Sequence, residues 1–260
     1  MRKRPLGSIP RSFPRMASKR MSMPAVDAKP IKSPKLIRYS SISDNSDKLS
    51  EIYNEKVNIS IWKRKINATM QKAAQVIFSK NPDLRISVVP QPQDAKEVLL
   101  SELGKGQNAQ LLIEDISKLV NLFCNLFNLK RAWIRLDAIN KPMCPRFHAD
   151  KLKCRMVTTY KGPATQWIPH HLINRTMLGH GNNGLPDEES GIFEKSTDIE
   201  QLDTGHVALL KGESWDGNQG AGLIHRSPHS KHDYSRLYMT IDFEETYLSI
   251  YKKNNRISYS

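Results

Sequence analysis

A histidine and an aspartate two residues apart, His148 and Asp150, are followed 75 residues after the aspartate by His225. Two neutral imidazoles and one carboxylate can hold a ferrous ion on one face and leave the opposite coordination positions open. On an extended segment the i, i+2 spacing turns His148 and Asp150 to the same side, where both reach one ion. The third ligand must come from a distant segment. His225 is suited to this, because it follows the glycine-rich turn of Gly217, Gly220 and Gly222 and the apolar pair Leu223 and Ile224, at or near the end of a short strand. Further on, Arg236 opens a run that alternates strictly, with Leu237, Met239, Ile241 and Phe243 on one side and Arg236, Tyr238, Thr240 and Asp242 on the other. This predicts a half-buried strand. A fixed guanidinium on its polar face suits a carboxylate, held by a two-pronged hydrogen bond.

Histidine-x-aspartate, a distal histidine and a following arginine resemble the signature of iron(II)- and 2-oxoglutarate-dependent oxygenases. The likeness includes the strand-like Cys154–Tyr160 after the first motif and Gly205–Gly212 before the distal histidine, and covers roughly residues 131–245. More closely, His148-Ala-Asp-Lys, Thr159-Tyr-Lys-Gly-Pro and His225-Arg-Ser-Pro are similar to an uncharacterised bacterial family labelled only as a domain of unknown function. The first resemblance implies iron on His148, Asp150 and His225. It also implies 2-oxoglutarate chelating that metal with its far carboxylate on Arg236, and hydroxylation of a substrate that the sequence does not name. Many such oxygenases carry serine two residues after the arginine; here Tyr238 stands there, beside the cosubstrate, and Arg155 and Arg226 compete with Arg236 for the carboxylate. Two readings of other classes stay open. One is a non-enzymatic zinc-binding protein of metal homeostasis, either on the same three residues or on Cys144, His148, Asp150 and Cys154 completed by His225; the same three ligands could also hold zinc for hydrolysis. The other is a metal-free module in which His225 and Arg236 grip an anion.

The elements that must position these residues are an α+β mixture. Val57–Trp62 and Arg85–Val89 read as strands, Lys63–Phe78 and Ala109–Asn128 as helices, the latter with Leu112, Ile116, Leu119, Val120, Phe123 and Phe127 on one apolar face. From Arg131 onward short strand candidates alternate with Gly, Pro and Asn turns. Helices first and strands afterwards predict N-terminal helices packed on a C-terminal antiparallel double-stranded β-helix, jelly-roll or cupin-like, over about residues 131–250 of a domain spanning 46–260. A Ser/Asp/Asn-rich linker is expected over 40–50. The His- and Asn-rich stretch from Trp167 to Asn183 is too compressed for a small-nuclease motif and reads as a loop over the sheet, with Asn174 or Arg175 available to a substrate.

The net charge of +14 over 260 residues is unevenly placed. Residues 1–40 hold eleven Lys or Arg and one acid, and the other 220 residues hold 29 basic and 25 acidic side chains, a net of only +4. A general nucleic-acid binder is therefore not indicated. The proline-rich basic tail, residues 1–45, is expected to be disordered and to make at most weak nucleic-acid contact; residues 1–20 could precede a later start at Met16, Met21 or Met23. No run is long and apolar enough for a membrane span. The odd set Cys124, Cys144 and Cys154, without a Cys-x-x-Cys pair, points to a reducing cytoplasm.

Overall fold

Strand β1 (Tyr39–Ser43) forms where composition suggests a linker. A 3₁₀ helix over Ser46–Tyr53 follows, started by the Asn45 side chain accepting from the Asp47 N–H, and then β2 (Val57–Trp62), with which β1 pairs in parallel. Ser, Asp and Asn hydrogen-bond to nearby backbone in ordered turns as readily as in linkers, so composition alone misplaces this segment. The computed structural model describes residues 37–229 and 234–257. The expected tail thus ends earlier than residue 45, and its part through residue 36 lies outside the described residues.

Helix α1 (Ala68–Lys80) starts at Asn67, whose side chain accepts from the Met70 N–H at 2.8 Å, later than the pattern from Lys63 suggests. β3 (Arg85–Val88) stops short of Pro90, which has no N–H for a ladder. Helix α2 (Ala95–Leu103) has too weak an apolar stripe to be read from sequence. Helix α3 (Gln107–Phe127) buries Leu112, Ile113, Ile116, Leu119, Val120 and Phe123 along one face. Each such side chain contributes roughly 1.5–3 kcal/mol on burial.

The chain continues through β4 (Ala132–Ile139), β5 (His148–Ala149), β6 (Cys154–Lys161), β7 (Gln166–Ile168), β8 (Glu200–Gln201), β9 (Val207–Lys211), β10 (Ile224–Arg226), β11 (Arg236–Phe243) and α4 (Glu244–Ile257). A seven-stranded sheet has the order β1-β2-β9-β6-β11-β4-β3, and a four-stranded sheet the order β5-β10-β7-β8. Apart from β1–β2, every pairing is antiparallel. The large sheet packs one face on α1–α3 through Met156, Leu209, Met239 and Ile241. Its other face meets the small sheet through Ile59, Val157, Leu210, Trp167 and Leu223. The mixed α/β character matches expectation, but the order of elements does not: the N-terminal half supplies both edges of the large sheet. Short strands between turns are ambiguous by periodicity alone. Gly162, at φ +81°, lets β6 end against the start of β11, where a Cβ would come within 2.1 Å of the Ser235 carbonyl oxygen. Among the described residues no helix is long and apolar enough to cross a membrane.

Candidate metal centre

β5 and β10 place His148 directly opposite His225, ring centroids 4.6 Å apart. Each strand orients its own imidazole. His148 Nδ1 is 2.9 Å from the Arg146 carbonyl oxygen and His225 Nδ1 3.3 Å from that of Leu223. With Nδ1–H donating to a carbonyl, each Nε2 keeps its lone pair for another partner. Asp150 faces both: Oδ1 is 3.7 Å from His148 Nε2 and Oδ2 3.6 Å from His225 Nε2. The three ligand atoms gather within 4.8 Å of one another, close enough to share one ion. Cys154 is fully buried in the core beneath the helices, and Cys144 stands exposed outside the cluster, so neither thiol joins it and the cysteine-containing zinc set is not formed.

The Asp150 backbone is held by the turn after β9. Gly212 N–H donates to the Lys153 carbonyl (2.8 Å), Glu213 N–H to that of Asp150 (2.9 Å) and Ser214 N–H to that of Leu152 (3.1 Å). A Cβ at Gly212 would lie 2.1 Å from the Leu152 oxygen, so only glycine admits this approach. The carboxylate heads a row of alternating charges. Arg155 Nη1 donates to Asp150 Oδ2 at 2.7 Å, while Arg155 Nε and Nη2 donate to Asp242 at 2.8 and 3.2 Å, and Arg135 Nη2 reaches Asp242 at 2.8 Å. Asp242, fully excluded from solvent, has these two guanidiniums as its ion-pair partners.

Burial opposes the charge on Asp150, but His225, Arg155 and His148 outweigh it and lower the carboxyl pKa. Burial likewise opposes the charge on Arg155, and Asp242 and Asp150 overcome it and raise the pKa. His225 goes the other way: burial lowers its pKa to about 4, with Asp150 resisting only in part. Its ring is therefore neutral at pH 7, the form a metal requires.

Of the three candidate carboxylate anchors, Arg155 is committed to Asp150 and Asp242. Arg226 is committed to Asp187, Glu188 and Gln166. Arg236 differs. At 1% exposure, it donates from Nη2 to Thr159 and Thr165 hydroxyls at 3.2 and 3.0 Å, and stacks 3.9 Å over the Tyr238 ring. Its Nε has no hydrogen bond among the described residues, nor does any described carboxylate pair with it. A buried guanidinium without a counter-ion is costly, and an anion is its chemical complement. Arg236, Tyr238, Arg155, Thr240, His148 and His225 border one cavity of about 80 Å³. A single water needs only about 10–15 Å³ by that measure, so the cavity has room for several atoms of a ligand beside an ion.

Several contributors carry little sequence signal. Arg135 and Asp242 stand on the polar faces of their strands, but periodicity cannot show that those faces meet each other. Asp187 accepts from the Phe147 N–H at 2.8 Å and from Arg226 at 3.1 Å, and its other oxygen is 3.0 Å from Arg146 Nε. It fastens the excursion between β7 and β8 to β5 and β10. Trp215 packs on Tyr53 and Phe127, away from this cavity's lining. Arg175 does reach a cavity and pairs with Glu213.

Over residues 43–242 the sequence matches the family described as Protein of unknown function (DUF1826), and the chain belongs to that family. No curated protein matches it. Among solved structures it is similar to dioxygenase for auxin oxidation 1 from Arabidopsis thaliana in its 2-oxoglutarate complex, at 10% identity and TM-score 0.44 over 80% of this chain and 92% of that one. It is similar to the rice dioxygenase for auxin oxidation at 8% identity and TM-score 0.47, over 80% and 82%. A prolyl-4-hydroxylase from Pseudomonas putida gives 9% identity and TM-score 0.41, over 76% and 92%.

Proposed function

We propose that this DUF1826 protein is an iron(II)- and 2-oxoglutarate-dependent oxygenase, with its metal on His148, Asp150 and His225 and its cosubstrate anchored by Arg236. One observation carries the reading: two imidazole nitrogens and a carboxylate converge beside a cavity that also contains a buried guanidinium lacking a carboxylate among the described residues. The donor set suits a ferrous ion with open positions, and the guanidinium suits the far end of a dicarboxylate. On this reading the two sheets are the walls of a double-stranded β-helix with the site at its mouth, in a cytoplasmic protein.

When bound there, ferrous iron with 2-oxoglutarate and oxygen supplies hydroxylation of a C–H bond, coupled to decarboxylation of the cosubstrate to succinate. The chain's residues do the placing. The Arg146 and Leu223 carbonyls hold both imidazoles in the metal-binding tautomer. Arg155 occupies part of Asp150 Oδ2 and leaves the remaining lone pairs of the carboxylate for the ion. Tyr238, stacked on Arg236, keeps the guanidinium from swinging out of the cavity.

A second reading, zinc for storage or hydrolysis, has the same support from the donor set, since two imidazoles and a carboxylate also bind zinc. Anaerobic titration of the metal-free protein with ferrous iron and then 2-oxoglutarate separates the two. A weak visible charge-transfer band, absent from Asp150→Ala, is the expected result. Tightly held zinc with no such band would replace iron by zinc in the reading.

A further inference from the structure

A second cavity, of about 610 Å³, is bordered by Arg146, Phe147, His148, Lys151, Arg175 and Leu178. Among the described residues, His148 is the one that borders both this cavity and the smaller one that contains Arg236. The two cavities thus share a candidate metal ligand. We infer that the larger cavity takes the primary substrate and that this substrate is an organic anion, a carboxylate- or phosphate-bearing molecule with an apolar body. The role as substrate rests on the oxygenase reading; the preference for an anion stands on the cavity itself.

The volume falls within the range of about 300–1,000 Å³ usual for small-molecule sites. Phe147, Ala149 and Leu178 give the wall an apolar portion next to His148. Around it stand three cations, Arg146, Lys151 and Arg175, against one carboxylate, Glu213. Two of the cations are partly spent. Arg175 donates to the Gly222 carbonyl at 2.8 Å and pairs with Glu213, while Arg146 donates to the Leu185 carbonyl and pairs with Asp187. A guanidinium carries five N–H groups, so both keep donors in reserve. Lys151 is exposed and belongs to none of the ion pairs among the described residues. An anion with an apolar body satisfies both portions of this wall. A cation would be repelled, whereas an anion gains a charge-assisted contact with the ammonium that a neutral molecule cannot make.

The test is ligand-observed fluorine NMR on the full-length protein, with 2-oxoglutarate in excess to fill the smaller cavity. The probes are trifluoromethyl-substituted aryl and alkyl carboxylates, the matching phosphate esters, and their neutral amide and alcohol counterparts. The acids are expected to bind about tenfold more tightly than the neutral compounds, the worth of one charge-assisted contact. Lys151→Gln should remove most of that preference, and Leu178→Trp, which fills the cavity, should abolish binding. Manganese(II), used as a paramagnetic stand-in for iron, should broaden the bound probe. No binding by any acid, equal binding of acids and neutral compounds, or binding indifferent to Leu178→Trp overturns the proposal. If manganese binds without broadening the probe, the assignment as substrate is overturned. If manganese does not bind at all, the metal reading has failed, while the acid preference and its loss in Lys151→Gln still decide the character of the cavity.

Discussion

The two faces of β11 are buried alike and held by opposite means. Leu237, Met239 and Ile241 pack under the helices in an apolar core. Arg236, Thr240 and Asp242, on the reverse face, are just as inaccessible, but their partners are hydroxyls, guanidiniums and an aromatic ring, with Arg236 Nε left unbonded among the described residues. On the first face burial itself stabilises. On the second it costs energy, and the charge row Asp150–Arg155–Asp242–Arg135 offsets that cost. Burial therefore does not distinguish core from site; what satisfies the buried group does. An ion row of this kind is weak evidence for stability, so its significance lies at the end it orients, Asp150.

This contrast breaks most visibly at Asp242. Asp242→Ala leaves two guanidiniums without their shared carboxylate and should lower stability by about 3–5 kcal/mol in urea unfolding. A loss below about 1 kcal/mol would mean the row is not needed for folding. On the apolar face, Met239→Ala should cost about 3 kcal/mol through the cavity it leaves, yet calorimetry should find metal affinity unchanged. If it weakens metal binding as well, the two faces are not independent.

Acid probes the centre beside the polar face. His225 has a pKa of about 4 in the fold against an ordinary 6.5. Between those values the unfolded chain takes up a proton that the folded chain refuses, so stability falls as pH falls. Chelator-treated protein should lose about 2 kcal/mol between about pH 7.5 and about pH 5, and His225→Phe should flatten that slope. The smallest effect is the most specific. Arg155→Met should weaken ferrous binding by about tenfold, as loss of an outer-shell partner does, and an unchanged affinity would show that Asp150 needs no such support.

Alternation along β11 and the stripe on α3 were open to sequence reasoning because each depends on spacing within one element. Strict alternation shows that the faces of β11 differ, but not that the polar one meets a cavity in place of solvent. His148 and His225 carry recognisable chemistry, whereas the contacts that aim Asp150 do not. The approach of Gly212 to Leu152 and the Arg155–Asp242 pair join segments far apart in the chain, and no local pattern announces them. The strand β1 was hidden for another reason: its Tyr-Ser-Ser-Ile-Ser sequence lies on an exposed sheet edge, where the demand for apolar residues is low.

Asp187 joins the Phe147 amide beside one imidazole strand to Arg226 on the other. The excursion that supplies Arg175 and Leu178 is thereby riveted to the same two strands that carry His148 and His225. Peeling this segment back would break the Asp187 contacts to both strands. One wall of the larger cavity is thus anchored by the strands that carry two of the three candidate metal ligands.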